Sequence, residues 1–149
     1  MTREGKTECV VVGVDGSAAS AAAMAWAARY AKAVGATVRV VLAWHYPAAA
    51  GPAPIGVAPE SVSHEVEQSR YDILDNAVAA ALGDSPAVPI ERKVVYGHPA
   101  QVLIDESKDA DLLVVGNRGH GGFTGMMLGS VSTHCVTHAH CPVTVIRST

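Results

Sequence analysis

The 149-residue sequence has little of what marks secreted, membrane or nucleic-acid-binding proteins. Its three cysteines, Cys9, Cys135 and Cys141, are too few and too scattered for a disulfide framework, so we expect a reducing cytoplasm. No apolar run reaches the roughly 18 residues that cross a membrane, and the polar start, residues 1–8, lacks a signal-peptide core. The net charge of −3 gives no sign of a nucleic-acid partner.

Aromatic residues are also scarce, at 5% with a single Phe, although 49% of the residues are hydrophobic. The apolar content is mostly Ala and Val, which suits close packing of helices on a sheet. At this length the chain can bury a sizeable core, so we expect one domain over residues 1–149.

Five apolar runs predict strands, and most are continuous rather than alternating. Continuous runs are typical of strands covered on both faces, as in a parallel sheet. Helical segments between them predict an α/β fold with a doubly wound five-stranded parallel sheet and helices on both faces. The predicted strands are Cys9–Val14, Thr37–Trp44, Ile90–Tyr96, Leu112–Gly116 and Val143–Arg147, and the predicted helices are Ser17–Val34, Ser61–Leu82, Pro99 to about Lys108 and Ser130–Ala139.

Helical spacing places apolar residues on one side of each of the two longer helices. The first places Trp26, Tyr30 and Val34 together, and the second Val62, Val66, Ile73, Ala77 and Ala81. After the second strand, the stretch from Pro47 to Pro59 holds four of the eight prolines and shows no periodicity. We interpret it either as a surface excursion or as a lid over a site.

A glycine-rich stretch, Gly116–Gly125, follows the fourth strand and leads to Gly129-Ser130 at a helix start. Glycine lets the backbone approach an anion closely, and free N–H groups at a helix start can point at it. This strand, loop and helix arrangement predicts a nucleotide-binding site.

The turn after the first strand, Gly13–Ser17, has a similar form. If the first and fourth strands are neighbours, Asp15 and the Gly116 loop face one crevice, and Asp15 could contact ribose or a metal ion on the phosphates. The alternative is that Asp15 or Ser17 only caps the first helix. A P-loop lysine motif and a dinucleotide Gly-x-Gly-x-x-Gly turn are both absent from the sequence.

The spacing Gly116-x2-Gly119-x9-Gly129-Ser130 resembles the ATP-binding signature of the universal stress protein family. The turn Val12–Ser17 resembles the opening turn of that family, and Cys141-Pro142-Val143 resembles the entry to its last strand. The resemblance covers the whole chain. It implies strand order 3-2-1-4-5, a homodimer paired through the last strand, and ATP, with magnesium as an option, or a related adenine nucleotide in the crevice.

The resemblance also implies roles for particular residues. Val14 and Asp15 would meet adenine and ribose, Gly13 would permit close approach, and Ala43 would border the adenine. The remaining contacts would come from the loop after the fourth strand and from the start of the last helix. These residues are Gly116, Asn117, Arg118, Gly119, His120, Gly121, Gly122, Gly129, Ser130, Val131 and Ser132.

Three loop residues leave alternatives open. Asn117 stands where the family often has a smaller Ser, so its side chain could alter a contact with ribose or phosphate. Arg118 could pair with phosphate or be a solvated loop residue. His120 could act as a general base, although a solvent-facing role fits better because no orienting carboxylate lies nearby.

A dense group of potential metal ligands, His134–Cys141, follows on the last helix. His134 and His138 have a zinc-compatible spacing, but Cys135 would point elsewhere and a closed site needs more ligands. We therefore expect no metal there, with Cys135 packed under the sheet and His138 near the helix C-terminus.

The glycine-rich site predicts nucleotide binding, and the resemblance implies a regulatory protein of the stress response that is not an enzyme. Its alternatives are a slow ATPase or nucleotidyl-transferring enzyme on the same fold, and a structural dimer with an empty crevice. The first is favoured because no P-loop lysine and no convincing base are present.

Overall fold

The computed structural model describes residues 7–45, 64–117 and 128–147. Its five strands confirm the predicted ones, except that the last strand ends one residue earlier than expected. Their apolar residues are β-branched in most positions, which favours an extended backbone packed on both faces. The strands are β1 Cys9–Val14, β2 Thr37–Trp44, β3 Ile90–Tyr96, β4 Leu112–Gly116 and β5 Val143–Ile146.

Four α-helices connect these strands at the places where the sequence predicts helices. The third ends earlier than expected as an α-helix and continues as a 3₁₀ turn, Ser107–Asp109. The α-helices are α1 Ala18–Val34, α2 His64–Leu82, α3 Pro99–Glu106 and α4 Ser130–His138. The predicted residues 61–63 at the start of α2 and the Pro47–Pro59 stretch lie outside the described residues.

All five strands run parallel, in the order β3-β2-β1-β4-β5, as the resemblance implies. The first and fourth strands are neighbours, with Val11 opposite Leu113. The strand order reverses between them, and ligands in open α/β sheets bind beyond the carboxyl ends of strands at such a switch point. The fold therefore has its crevice where the sequence predicts it.

The sheet separates two apolar cores. One lies under α1 and α2, and the other under α3 and α4. The sequence places apolar residues on one side of each long helix, and the structure confirms this in part. Val34 and Ile73 are 45% and 43% exposed, whereas the residues that pack against the first core are Trp26, Tyr30, Ala77 and Ala81. The fully buried side chains of these two helices are Ala23, Met24, Ala27, Ala31, Leu74 and Val78.

An ion cluster fixes the end of α3 to the sheet. The carboxylate of Glu106, which is 9% exposed, lies 3.2 Å from the Arg39 guanidinium and 2.6 Å from Lys93 Nζ. Arg39 also contacts Glu91 at 3.0 Å and Asp109 at 3.4 Å. The cluster lies at the start of β2 and β3, at the opposite edge of the sheet from the switch-point crevice.

Candidate functional site

The turn between β1 and α1 forms one wall of the crevice. Ser17 caps α1, since its hydroxyl oxygen accepts a hydrogen bond from the Ser20 amide at 3.1 Å. Asp15 does not cap the helix. Its Oδ1 accepts from the Ser17 amide at 2.9 Å and closes the turn, in which Gly16 has a φ of 82°. The Asp15 side chain is exposed, so the turn presents a carboxylate to solvent at the switch point.

Two glycines of the site allow close packing of the elements around it. A Cβ on Gly13 would lie 2.7 Å from Leu103 Cδ1, so α3 occupies the space that the resemblance assigns to ligand approach. A Cβ on Gly116 would lie 2.8–2.9 Å from three atoms of Ala19, two of them backbone. These glycines bring α3 and the first turn of α1 against the strand ends.

Asn117 ties together the three chain segments at the second wall. Its amide donates to the Ile146 carbonyl at 2.8 Å, and its carbonyl accepts from the Gly129 amide at 2.6 Å. The residue is only 4% exposed. Its backbone therefore joins the ends of β4 and β5 to the start of α4, and its side chain lies in the interior.

The first turn of α4 starts next to the end of β4, because the Gly129 amide donates to the Asn117 carbonyl. Gly129 precedes it without a side-chain cap, whereas Ser17 closes the start of α1. Ser132 is 2% exposed and donates its hydroxyl hydrogen to the Gly129 carbonyl at 3.0 Å. Ser130 is exposed and Val131 packs on the second core, so Ser130 is the exposed residue among residues 129–132. Backbone N–H groups in the first turn of a helix have no acceptor within the helix.

The other predicted site residues fall into two groups. Val14 is buried in the first core and Ala43 packs partly against the second, which leaves their backbones at the strand ends. The structure thus brings Gly13, Val14 and Asp15 to one side of the crevice and Gly116, Asn117, Gly129 and Ser130 to the other. Outside the described residues lie Arg118, Gly119, His120, Gly121 and Gly122.

The histidine and cysteine residues of α4 do not converge. Cys135 is fully buried, and burial raises the pKa of its thiol to about 11. His134 Nδ1 lies 2.7 Å from the Ser130 carbonyl, while His138 stacks beside it on the exposed surface. Over residues 7–45, 64–117 and 128–147, no group of three or more His, Cys, Asp or Glu side chains is arranged to hold a metal ion.

Sequence reasoning missed a cluster at the ends of β2 and β3. The rings of Trp44 and Tyr96 meet edge to face with centroids 4.9 Å apart, and the Arg70 guanidinium lies 5.4 Å from the Trp44 ring. The rings of His45 and His98 lie 5.5 Å apart. The sequence does show an aromatic residue at the end of each of two strands, with a histidine one or two positions later. These residues can be recognised as one cluster only when the two strands are known to pair.

The fold is a doubly wound α/β domain, a class in which ligands bind at the point where the strand order reverses. The chain belongs to the universal stress protein family, whose family model matches residues 7–147. It is 36% identical over 148 residues to a universal stress protein of Mycolicibacterium smegmatis, a match that covers 93% of this chain and 47% of the relative.

A universal stress protein of Mycobacterium tuberculosis is 39% identical over 138 residues, covering 93% of this chain and 45% of the relative. The chain thus spans about half the length of the curated relatives it matches. In the part of the chain that the structure describes, no helix has the length and apolarity needed to cross a membrane.

Solved structures agree on the fold. Universal stress protein UspA from Lactobacillus plantarum superimposes with a TM-score of 0.72 at 23% identity, covering 97% of this chain and all of that one. A universal stress protein solved in complex with cAMP has a TM-score of 0.63 at 29% identity, covering 96% of this chain and 98% of that one.

Proposed function

We propose that the chain binds an adenine nucleotide, with ATP as the first candidate, in the crevice between β1 and β4. The observation that carries this proposal is that two features meet at the switch point: the first turn of α4, which has no side-chain cap, and the Asp15 turn. Backbone N–H groups at a helix N-terminus attract phosphate, and an exposed carboxylate can accept hydrogen bonds from ribose hydroxyls. The similar protein solved with cAMP supports the same ligand class.

We propose a regulatory role for this binding rather than turnover. The only carboxylate among the described residues of the site, Gly13–Asp15, Gly116–Asn117 and 128–132, is that of Asp15. A hydrolase needs a positioned base or a metal-held phosphate geometry in addition to a binding cradle. Nucleotide binding would then change a surface of this chain to which a protein partner binds. Slow ATP hydrolysis or nucleotidyl transfer is the competing function.

The first experiment identifies the ligand directly. Purified protein is denatured by heat, and any released small molecule is identified by chromatography and mass. Near-stoichiometric adenine nucleotide supports the proposal. Protein that releases none and shows no binding of ATP, AMP or cAMP by calorimetry overturns it. Steady product formation with ATP and magnesium would favour the enzyme instead.

Asp15→Asn tests the site without removing its turn. Asn can accept the Ser17 amide hydrogen bond as Asp does, but it lacks the charge and accepts with one oxygen only. We expect adenine-nucleotide affinity to fall about tenfold, equivalent to the loss of one charge-assisted hydrogen bond. Ser17→Ala is the control, because it removes the helix cap and should lower stability by about 1 kcal/mol while leaving affinity nearly unchanged.

We further propose a cytoplasmic homodimer paired along β5. The three cysteines are free thiols, which suits a reducing compartment. The two sheet edges differ in chemistry. Edge strand β3 carries Glu91, Arg92 and Lys93, and the Tyr71 hydroxyl lies 3.5 Å from the Val94 amide. Edge strand β5 is uncharged and all four of its residues are half-buried, so it is the edge suited to a second copy.

A further inference from the structure

Two histidines come together at the carboxyl edge of the sheet, where β2 and β3 end. His45 directly follows β2, and His98 is the N-cap residue of α3, two positions after β3. Pairing of β2 with β3 places Trp44 opposite Tyr96, and the Gly97 amide donates to the Trp44 carbonyl at 2.8 Å. The imidazole rings are thereby held with their centroids 5.5 Å apart at an interplanar angle of 58°.

The backbone under this pair is well braced. The edge-to-face contact of Trp44 with Tyr96 and the Arg70 guanidinium over Trp44 fasten the two strand ends to each other and to α2. Both histidines are exposed. Two accessible imidazoles on rigid supports are the simplest protein arrangement that binds a borderline transition metal, since neutral imidazole is the most common metal ligand among side chains.

The ring separation matches that of two imidazoles on one ion. With a metal–nitrogen distance of about 2.1 Å and about 1.2 Å from nitrogen to ring centre, two ligands at a tetrahedral angle have centroids about 5.4 Å apart. The observed 5.5 Å agrees with this value. We propose that His45 and His98 form a binding site for a divalent transition metal of the zinc and nickel class, open to solvent on its remaining positions.

The other histidine pair provides an internal comparison. His134 and His138 have centroids 6.4 Å apart at 29°, about the limit reached only when two imidazoles lie on opposite sides of an ion. The Ser130 carbonyl also holds His134 in place at Nδ1. The HxxxH spacing on α4 is the more evident pattern in the sequence, but the ring geometry favours His45 and His98, which lie 53 residues apart.

A site with two protein ligands is of the open kind. Within the described ranges no third His, Cys, Asp or Glu joins these two, so water would fill the other positions. Such a site differs from the closed sites that hold structural zinc. Its occupancy would follow the free metal concentration, and a bound ion would link β2 to the start of α3.

The test uses untagged, nucleotide-free protein titrated with Zn²⁺ and, separately, Ni²⁺. Binding to the native state alone should raise the apparent Tm by about 3 °C at a metal concentration well above Kd. Calorimetry should give one ion per chain. His45→Gln and His98→Ser remove one ligand each, and Ser keeps a good N-cap for α3. Either variant should lose at least tenfold in metal affinity.

The matched control is His134→Gln with His138→Gln, which leaves the β2–β3 pair intact. This double variant should bind one ion with unchanged affinity. The proposal is overturned if the wild-type protein binds neither metal at millimolar concentration. It is also overturned if the α4 double variant, rather than the His45 or His98 variants, loses binding. Because no nucleotide is present, failure of this site leaves the nucleotide proposal untouched.

Discussion

Single atoms determine how closely the helices approach the candidate site. Gly13 lies one residue before the end of β1 and Gly116 ends β4, and both lack room for a Cβ. The atoms that an added Cβ would meet differ between the two glycines. Leu103 places a methyl group of a flexible side chain next to Gly13, whereas Ala19 places backbone atoms next to Gly116. Flexible side chains yield at little cost and helix backbone does not, so the two glycines differ in importance for stability.

Gly116→Ala should therefore destabilise the protein by about 2–3 kcal/mol, because the first turn of α1 must move off β4. Gly13→Ala should cost about 1 kcal/mol, since Leu103 can change its rotamer. Urea unfolding of the wild type and both variants measures the difference. Equal losses for the two variants would contradict the assignment of backbone contact to Gly116.

A second residue-scale prediction concerns Cys135 and pH. Its native pKa of about 11 lies above the ordinary value of 9.0 because burial disfavours the thiolate. Between pH 9 and 11 the unfolded chain gives up this proton first, so the free energy of unfolding falls as pH rises. From pH 8 to pH 10 the wild type should lose about 1 kcal/mol more than Cys135→Ala. Urea unfolding at both pH values provides the measurement, and parallel losses in the two proteins would contradict it.

At the scale of elements, helix α3 depends on one buried carboxylate. Glu106 is 9% exposed and faces both Arg39 and Lys93, whereas Glu91 contacts Arg39 from a side chain that is 59% exposed. A buried partner cannot be replaced by water when its charge is removed, but an exposed one can. Glu106 and Glu91, which both contact Arg39, should thus contribute differently to the free energy of unfolding.

Glu106→Gln should lower the free energy of unfolding by about 2 kcal/mol, since two cations lose their buried counter-charge. Glu91→Gln, the control, should lower it by less than about 1 kcal/mol. Salt sensitivity separates the cases further, because ionic screening acts mainly on the exposed pair. If Glu91→Gln lowers the free energy of unfolding more than Glu106→Gln does, the exposed ion pair, rather than the buried one, anchors α3 to the sheet.

Element positions were predictable from the sequence to a useful degree, and the faces of the helices only in part. The strands are continuous apolar runs, so β1 to β4 were predicted at their true limits. In α2, Ala77 and Ala81 pack against the core with Leu74 and Val78, but Ile73, which the sequence places on the same side, is exposed. Neighbouring helix positions differ by about 100° in direction, so Ile73 lies outside the face that Leu74 buries.

At the scale of the whole molecule, the sequence predicts pieces of a site and the strand order brings them together. The Asp15 turn and the Gly129-Ser130 helix start were both foreseen, because each has a local glycine pattern. The burial of Asn117 and Ser132 was not, since it depends on the ends of β4 and β5 meeting α4. The His45–His98 pair also escaped notice, as its members approach only when β2 and β3 are paired.

Assembly of two copies depends on the edges of the sheet. β5 is an edge strand that pairs with β4 on one side, so its other side can accept a second strand. In β5, Val143 and Val145 pack against one core and Ile146 against the other, so these side chains already support the monomer. Thr144 is the residue whose replacement least disturbs that packing. A lysine there would place a charge along the edge that a second copy is proposed to cover, which is how natural edge strands avoid pairing.

Thr144→Lys should therefore weaken dimerisation at least tenfold, as a charge desolvated in an interface costs more than about 1.4 kcal/mol. Thr7→Lys, the same change at an exposed position ahead of β1, should leave dimerisation unaltered. Sedimentation equilibrium over a range of concentrations measures both, with thermal unfolding as a check on the fold. A wild-type protein that stays monomeric, or a Thr144→Lys protein that dimerises normally, would place the second copy elsewhere or remove it. A loss of dimerisation confined to Thr144→Lys would mean that the second copy pairs with the uncharged β5 edge rather than with the charged β3 edge.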